Sequence, residues 1–191
     1  MILVVGLGNP GPRYYATRHN IGFRAVDRLV DKHGVGGYRS RFEGEFAQLE
    51  LHGERVVVLK PQTFMNRSGH SVRPALSFFK LTEKELLVVH DELDLSPGEL
   101  RLKQGGGEAG HNGLRSISEQ LGTQDYARLR CGIGRSPGGP GTVADYVLDA
   151  FPLADQPLVE QMVDGAVEAI GRVVKEGMSS AMNVTNRKPK V

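Results

Sequence analysis

Two polar positions in this sequence carry side chains that together can activate a water molecule. His19 follows an apolar run at 2–5 and a Gly/Pro-rich turn, and Asp91 follows a second apolar run at 86–89. A histidine that donates one ring nitrogen to a carboxylate keeps the other nitrogen free to take a proton near neutral pH. If the two runs are neighbouring parallel strands, both side chains reach the same edge of a sheet. The pattern therefore favours a general base, His19, oriented by Asp91.

Four asparagines in loop-like segments form a second candidate set: Asn9, Asn20, Asn66 and Asn112. Asparagine offers both a donor and an acceptor, so it can hold peptide groups or stabilise a carbonyl oxygen that gains negative charge. Turns and helix caps also use asparagine, and for each residue taken singly this second interpretation stays open. The one cysteine, Cys131, lies inside an apolar strand-like segment, which favours a core position. Water is therefore the expected nucleophile.

The glycine-rich segments carry weaker signals. Gly6, Gly8 and Gly11 match the spacing of a dinucleotide-binding fingerprint, but that motif needs a helix to begin at the loop. The sequence Asn-Pro-Gly-Pro at 9–12 favours a turn there instead. The run at 105–110 lacks the Gly-Lys-Ser/Thr of a nucleotide P-loop, and we expect a loop in which the backbone approaches a substrate closely.

Strand and helix patterns alternate along the chain and position these groups. Strand patterns occur at 2–5, 45–51, 55–60, 86–90, 99–103 and 127–133, the second and third forming a hairpin. Helical spacing follows residue 20 and recurs at 68–80, 113–121 and 159–174, and a capping box marks a short helical turn at 82–85. A hairpin combined with βα units predicts an α/β fold, a single-domain twisted mixed β-sheet with helices on both faces.

Length and charge bound the remaining possibilities. The 191 residues most simply form one domain, 1–191, with a short basic tail at about 186–191. With no leader pattern and no long apolar run, we expect a cytoplasmic protein that does not enter a membrane. Residues 1–42 carry seven Arg or Lys against two acids, and residues 145–176 carry seven acids against two cations. This segregation predicts a nucleic-acid partner or, equally well, helix faces of opposite charge.

Five motifs, in order and at fitting spacings, resemble those of bacterial peptidyl-tRNA hydrolases. They are Gly6-Leu7-Gly8-Asn9-Pro10-Gly11, Thr17-Arg18-His19-Asn20, Pro61-Gln62-Thr63-Phe64-Met65-Asn66, His90-Asp91-Glu92-Leu93-Asp94, and the glycine-rich run that ends in Gly110-His111-Asn112-Gly113-Leu114. The resemblance covers nearly the whole chain. It implies hydrolysis of the ester between a peptide and the 3′ ribose of tRNA, which recycles tRNA from prematurely dropped peptidyl-tRNA. It also implies a monomer that needs no metal or other cofactor.

The resemblance implies roles for individual residues as well. His19 would be the general base and Asp91 its orienting partner. The substrate would be held by Asn9, Asn66 and Asn112 around the peptide, the water and the oxyanion, by Met65 as an apolar wall, by His111 at the entrance and by Tyr14 beside the site. A clamp for the 5′-phosphate of the tRNA would comprise Lys103 and Arg130, with Arg101 where relatives often carry lysine. The partner would be peptidyl-tRNA: its acceptor stem, its 3′ CCA end and the nascent peptide.

Two alternatives remain open from the residues alone. The segment 90–94 and His111 could supply ligands to a metal-dependent hydrolase, although their spacing differs from that of a standard zinc site. The basic segments could instead belong to a tRNA-binding module without catalysis. Loss of activity in EDTA would favour the first alternative, and tight tRNA binding without turnover would favour the second.

Overall fold

The apolar run after Met1 forms the middle strand of a seven-stranded sheet. A computed structural model describes residues 1–138 and 141–187 of the chain. Its strands are β1 (Ile2–Gly6), β2 (Arg39–Arg41), β3 (Gly44–Leu51), β4 (Glu54–Pro61), β5 (Leu86–Glu92), β6 (Leu100–Gln104) and β7 (Ala127–Gly132). They lie in the order β2-β3-β4-β1-β5-β7-β6.

Parallel pairing brings the ends of β1 and β5 together. β1 runs parallel to both β4 and β5, with Gly6 opposite Val89, and β5 runs parallel to β7. The outer strands β2, β3 and β6 are antiparallel to their neighbours, so the sheet is mixed. The segments that follow β1 and β5 therefore leave the sheet side by side at its carboxyl edge, as the sequence predicted.

In the described part of the chain, six helices cover both faces of the sheet. They are α1 (Ile21–His33), α2 (Gly69–Phe78), α3 (Asn112–Leu121), α4 (Val143–Val147), α5 (Gln156–Glu176) and α6 (Met178–Thr185). Alternate residues of β1 point to opposite faces: Val4 packs in the core with α1 and α5, whereas Leu3 and Val5 pack in the core with α2 and α3. The predicted fold class, a single-domain mixed α/β sheet covered on both faces, is confirmed.

The longer predicted elements match the observed ones within three residues, and three short ones were missed. The hairpin β3–β4 and the capping box of Thr82 with Glu85 are both present. β2, with the sequence Arg-Ser-Arg, has no buried residue, so it carries no hydrophobic period. α4 spans five residues, and α6 buries only Ala181. A stripe of one apolar residue is too narrow to identify a helix from spacing alone.

Much of the charge segregation in the sequence is explained by ion pairs between the helices α1 and α5. On α1, Arg24 donates to Glu160 at 2.8 Å and Arg28 donates to Asp164 at 2.5 Å, both carboxylates belonging to α5. Lys32 lies 3.6 Å from the same Asp164. Because these cations already have carboxylate partners, the α1 surplus supports the interpretation as helix faces of opposite charge.

The C-terminal helix is joined to the edge strand β6 by one amide side chain. Asn186 Oδ1 accepts from the Leu102 N–H at 2.8 Å, and Asn186 Nδ2 donates to the Leu102 carbonyl at 2.9 Å. The amide thus takes the place of a neighbouring strand and satisfies the backbone hydrogen-bonding groups of Leu102 at the edge of the sheet. Lys188 and Lys190 of the predicted basic tail lie outside the described residues. None of the helices in the described ranges has the length and apolarity that crossing a bilayer requires.

The contact between α2 and α3 requires a glycine at position 69. A Cβ placed there would lie 2.3 Å from the Ser116 carbonyl oxygen, and the Gly69 N–H donates to the Ser116 Oγ at 2.9 Å. We expect Gly69→Ala to lower the free energy of unfolding by about 1–3 kcal/mol, measured by urea denaturation, because the helices must separate.

Gly171→Ala is the matched control for that substitution. Gly171 is also helical, but a Cβ there would meet only His52 Nε2 at 3.7 Å. Alanine has the higher helix propensity, so this variant should be unchanged or more stable by roughly 0.5–1 kcal/mol. Equal stability of the two variants would contradict the assigned helix contact.

Candidate active site

A histidine and an aspartate meet where β1 and β5 leave the sheet. His19 lies in a single 3₁₀ turn, Arg18–Asn20, directly before α1, and Asp91 lies near the end of β5. His19 Nδ1 is 2.8 Å from Asp91 Oδ2, and the Asp91 side chain is 2% exposed. An ionised carboxylate only accepts hydrogen bonds, so Nδ1 carries the proton and donates it. His19 Nε2 consequently keeps its lone pair.

A second histidine occupies the other oxygen of Asp91. His111 precedes α3, and its Nδ1 accepts from the N–H groups of Gly113 and Leu114 at 3.1 and 3.3 Å. A ring nitrogen that accepts holds no proton, so the proton of His111 is on Nε2. That nitrogen donates to Asp91 Oδ1 at 2.8 Å. The N-terminus of α3 therefore sets the tautomer of His111, and His111 in turn helps to hold the Asp91 carboxylate in place.

Burial and charge act in opposite directions on the pKa values of this group. Burial lowers the pKa of His19, but the Asp91 charge and its hydrogen bond together raise that pKa above the ordinary 6.5. Burial raises the pKa of Asp91, but the charges and hydrogen bonds of the two histidines hold it well below its usual range. Asp91 is therefore a carboxylate at neutral pH, and His19 is a stronger base than a free histidine.

Two asparagines build the first loop of the site. Asn20 Oδ1 accepts from the Asn9 N–H, and Asn20 Nδ2 donates to the Asn9 carbonyl, both at 2.9 Å. Asn9 Oδ1 in turn accepts from the Met65 N–H at 2.8 Å. Asn20 is 1% exposed, so its role is to shape this loop. Asn9, whose oxygen is already bonded, presents its Nδ2 donor to a ligand.

A cavity of about 600 Å³ opens over these groups. On one side it is lined by the segment after β4, which contains Phe64, Met65 and Asn66, and on the other by Asn112 and the glycine-rich loop. The volume lies in the range of small-molecule sites. Asn9, Asn66 and Asn112, whose side-chain amides can donate hydrogen bonds, line this cavity together with His19. Such a set of groups suits the attack of water on a carbonyl carbon, with the amides stabilising the carbonyl oxygen.

An apolar wall closes another side of this cavity. It comprises Val143 and Val147 on α4, Leu148 directly after it, and Leu93 after β5. Val143 and Leu148 are 56% and 43% exposed, which is high for aliphatic side chains. Exposed aliphatic groups that line a cavity mark the place where an apolar part of a ligand can bind.

The glycine-rich loop is held by a buried arginine. Arg128 is 2% exposed, and its guanidinium donates to the carbonyls of Gly106 and Gly107 at 2.6 Å and to that of Gln124 at 3.0 Å. Gly105 and Gly106 have φ values of +68° and +107°, a region that favours glycine. The loop backbone is therefore fixed by carbonyl contacts to one side chain.

A second, cationic cleft of about 340 Å³ adjoins the first cavity. Its lining includes Lys103, Arg128 and Arg130, and it shares His90 and Glu92 with the first cavity. Lys103 is opposite Arg128 in the β6–β7 register, which places these side chains on one face of the sheet. Glu92 accepts from Arg130 Nε at 2.8 Å. An anion in this cleft would meet the cations of Lys103, Arg128 and Arg130. The carboxylates that also line the cleft are those of Glu92, Asp94 and Glu108.

The comparisons with known proteins identify the family. The family model for peptidyl-tRNA hydrolase matches residues 3–191. The chain belongs to the peptidyl-tRNA hydrolase family. A peptidyl-tRNA hydrolase of Sorangium cellulosum is 50% identical over 191 residues, covering 100% of this chain and 86% of the relative. One from Trichlorobacter lovleyi is 49% identical over 187 residues, covering 98% and 96%. The crystal structure of peptidyl-tRNA hydrolase from Acinetobacter baumannii superimposes with a TM-score of 0.91 at 41% identity, covering 100% and 97%.

Most of the residues singled out on the peptidyl-tRNA hydrolase pattern lie together. The first cavity is lined by His19, Asp91, Asn9, Met65, Asn66, His111 and Asn112. Tyr14 lies in the loop before His19, with its carbonyl accepting from Thr17 Oγ1 at 2.7 Å, and does not line the cavity. Arg101 is opposite Arg130 in the register but lies 3.6 Å from Glu99 and does not line the cationic cleft. The roles of Tyr14 and Arg101 stay predictions.

The residues that sequence reasoning missed are those of the apolar wall. α4 contains only five residues and follows a segment rich in glycine and proline. Its two valines are therefore too few to reveal a helical spacing in the sequence. The capping box of Thr142 with Asp145 was the available signal for a helix start there. Arg128 was also missed, because a buried cation that bonds backbone carbonyls cannot be told from a surface arginine by its neighbours in sequence.

The hydrogen bonds of the site argue against the metal-site alternative. Ligand atoms of His19, Asp91 and His111 lie within 4.8 Å of one another. However, His111 Nε2 carries a proton because its Nδ1 accepts backbone N–H groups, and a protonated nitrogen cannot bind a metal. Of the acidic residues in segment 90–94, Glu92 bonds Arg130 and Asp94 bonds Arg135 at 3.1 Å. The geometry therefore favours a hydrogen-bonded triad over a metal centre.

One serine has the spacing of a nucleophile turn. The residues Gly134-Arg135-Ser136-Pro137-Gly138 match Gly-x-Ser-x-Gly. In α/β-hydrolases that serine stands between a strand and a helix that begins at the turn. Here β7 ends at Gly132 and the next helix begins at Val143, so the structural context of the motif is missing. Water remains the nucleophile that the site supports.

Proposed function

We propose that this chain hydrolyses the ester between the peptide and the 3′ ribose of peptidyl-tRNA, with His19 as general base. The observation that carries the proposal is the 2.8 Å contact of His19 Nδ1 with Asp91, in a cavity surrounded by amide donors. This contact leaves the Nε2 lone pair of His19 available to a water molecule. Membership of the peptidyl-tRNA hydrolase family supports the substrate.

The reaction follows from the proton that His19 moves. Nε2 takes a proton from water as its oxygen attacks the ester carbonyl carbon, and the Asp91 carboxylate stabilises the resulting imidazolium. The carbonyl oxygen gains negative charge, which amide N–H groups of Asn9, Asn66 and Asn112 can stabilise. The tetrahedral intermediate then expels the ribose oxygen, which takes the proton back from His19. The products are a peptide carboxylic acid, which loses its proton to solvent at neutral pH, and a tRNA with a free 3′ hydroxyl.

The cationic cleft would bind the phosphates of the acceptor stem, leaving the 3′ CCA end to reach His19. We expect Lys103→Ala to raise KM. It should also reduce the slope of log KM against log salt concentration by about 1, which is the contribution of one phosphate contact. Arg130→Ala should raise KM further, because it also leaves the Glu92 carboxylate unpaired towards the incoming phosphate. The measurement is KM at salt concentrations from 50 to 300 mM, roughly the range over which the affinity due to phosphate contacts changes most.

Lys175→Ala is the control for the phosphate contacts. Lys175 is an exposed lysine of α5 that lines neither cavity. Its variant should keep both the KM and the salt slope. If Lys103→Ala instead changes kcat alone and keeps the salt slope, Lys103 does not bind phosphate.

The same proposal includes a monomer that acts in the cytoplasm. All residues of the triad, the amide donors and the cationic cleft come from one chain, so a second copy is not needed to complete the site. The substrate is a product of translation, which takes place in the cytoplasm. Light scattering at working concentration tests the oligomeric state, and a dimer mass would contradict it.

The deciding experiment is release of labelled peptide from N-blocked aminoacyl-tRNA in the presence of EDTA. Release by the wild type supports a metal-independent esterase. No release in EDTA, with activity restored by an added metal, would instead support the metal-dependent hydrolase. Tight tRNA binding without release under either condition would support a tRNA-binding module.

A further inference from the structure

Arg18, the residue before the general base, is joined to the apolar wall at several points. Its guanidinium carbon lies 4.0 Å from the centre of the Tyr146 ring, and Nη1 donates to the Tyr146 carbonyl at 3.0 Å. Its backbone N–H donates to the Asp149 carbonyl at 3.0 Å. Next to it, Thr17 pairs with Ala150 in an isolated antiparallel bridge. The turn that holds His19 and the segment 146–150 are therefore one connected unit.

α4 depends on such contacts to keep its shape. A helix of five residues is far below the length at which helices are stable alone in water. Its start is held by the capping box of Thr142, and the Tyr146 hydroxyl donates to the Ile133 carbonyl at 2.6 Å. Arg18 bonds a carbonyl in the last turn, where a cation is also favoured by the helix dipole. Arg18 thus holds the C-terminal end of α4.

The position of α4 decides the shape of the cavity next to His19. Val143, Val147 and Leu148 line the cavity that also contains His19 and the amide donors. The cationic cleft adjoins the same cavity and would take the tRNA part of the substrate. With the tRNA placed there, the side chain of the last peptide residue is the apolar group that this wall can accept.

We propose that Arg18 is a positioning residue that holds the α4 wall against the catalytic turn, and that this wall makes the enzyme prefer peptides ending in an apolar residue. The inference rests on the proposed function, since it concerns the peptide end of the same substrate. Each methylene buried on the wall is expected to improve binding about fourfold. A leucine that is partly buried there should therefore favour its substrate over the glycine equivalent by about tenfold in kcat/KM.

The test compares N-acetyl-leucyl-tRNA with N-acetyl-glycyl-tRNA in the wild type and two variants. Arg18→Gln removes the stacked cation, and Tyr146→Leu removes the ring beneath it. Each variant should raise KM for the leucyl substrate about fivefold, so that the preference falls to about twofold. The kinetic constants for the glycyl substrate and the pH midpoint of kcat/KM should stay near the wild-type values. A merely structural defect would lower kcat/KM for both substrates by the same factor.

Arg24→Gln is the matched control, because Arg24 also lies near the start of α1 and donates to a carboxylate away from the cavity, on Glu160. It should leave the leucyl preference unchanged. In the Arg18→Gln, Tyr146→Leu double variant, the loss of preference should be smaller than the product of the two single losses, since both substitutions remove the same stacking contact. Additive losses, a preference that stays at the wild-type value, or parallel losses for both substrates would each overturn the proposal.

Two further measurements keep the result decisive. If Arg18→Gln does not fold, Arg18→Lys keeps the charge without the planar stack and should still lose most of the leucyl preference; full retention would overturn the proposal. Binding of uncleavable 3′-amide analogues of both substrates tests the wall without turnover. If the wild type binds the leucyl analogue more tightly, Arg18→Gln loses this preference, and the wild type releases no peptide from the cleavable substrates, the proposed function fails while the Arg18 assignment stands. Equal binding of both analogues by the wild type would overturn the assignment.

Discussion

Replacing Asp91 by asparagine is expected to lower kcat/KM by roughly 1,000- to 10,000-fold, because it inverts the tautomer of His19. His111 Nε2 and His19 Nδ1 both donate to the Asp91 carboxylate. An asparagine has one oxygen and one NH₂ group, so only one histidine can still donate to it. The α3 N-terminus fixes the His111 proton on Nε2, so His111 continues to donate to the oxygen of the new asparagine. The NH₂ group then faces His19 Nδ1, which moves the His19 proton to Nε2, the atom that must accept from water.

The pH dependence should change in the same variant. As the proposed base His19 must be neutral, so the rate of the wild type should rise with pH through a pKa above 6.5. Without the Asp91 charge, burial remains as the main influence and lowers the pKa of His19. The acid limb of the residual activity should therefore move to lower pH. Profiles of kcat/KM between pH 5 and 9 measure both effects.

Asp164→Asn is the control for the loss of a carboxylate. Asp164 accepts from Arg28 on the surface between α1 and α5, outside both cavities. Its variant should keep the wild-type rate and pH profile. An Asp91→Asn variant with a wild-type rate, or with its acid limb at higher pH, would remove Asp91 from the mechanism.

The second large effect is expected for His19→Ala, which removes the base itself. General base catalysis contributes roughly 100- to 10,000-fold, so kcat should fall by that factor while tRNA affinity stays near the wild-type value. Affinity should be retained because the proposed phosphate contacts lie in the adjoining cleft. Single-turnover release of labelled peptide and binding of deacylated tRNA are the two measurements.

His33→Ala controls for the general effect of losing a histidine. His33 is an exposed residue at the end of the helix that follows His19, and it lines neither the catalytic cavity nor the cationic cleft. It should keep full activity. A His19→Ala variant with an unchanged rate would show that another group activates the water, whereas a loss of tRNA affinity alone would assign His19 to binding.

The pairing of His19 with Asp91 shows what could be predicted before folding. Both residues follow apolar runs, and apolar runs of that length in an α/β pattern become neighbouring parallel strands whose ends coincide. Asn9, Asn66 and Asn112 were found in the same way, as polar residues in turns. The second histidine on Asp91 could not be found so, because its orientation depends on backbone N–H groups of α3.

The charged residues were harder to interpret. Arg24, Arg28 and Lys32 were compatible with a nucleic-acid surface until the fold placed Glu160 and Asp164 beside them. Arg128 was hidden for the opposite reason, since its carbonyl partners exist only when the glycine-rich loop closes over it. Whether a cation binds a ligand, a carboxylate or the backbone is decided by neighbours that are distant in sequence.

The sequence by itself determined the sheet with its two covered faces, its carboxyl edge, and the histidine and asparagines that we propose as base and amide donors. These follow from local rules, namely the alternation of apolar residues along strands, helical spacing and the turn chemistry of glycine, proline and asparagine. The tertiary structure alone decided the tautomers of the two histidines, the pKa of the base, the apolar wall on α4 and its connection to Arg18. Each of these depends on hydrogen bonds, burial or stacking between segments that only folding brings within contact distance.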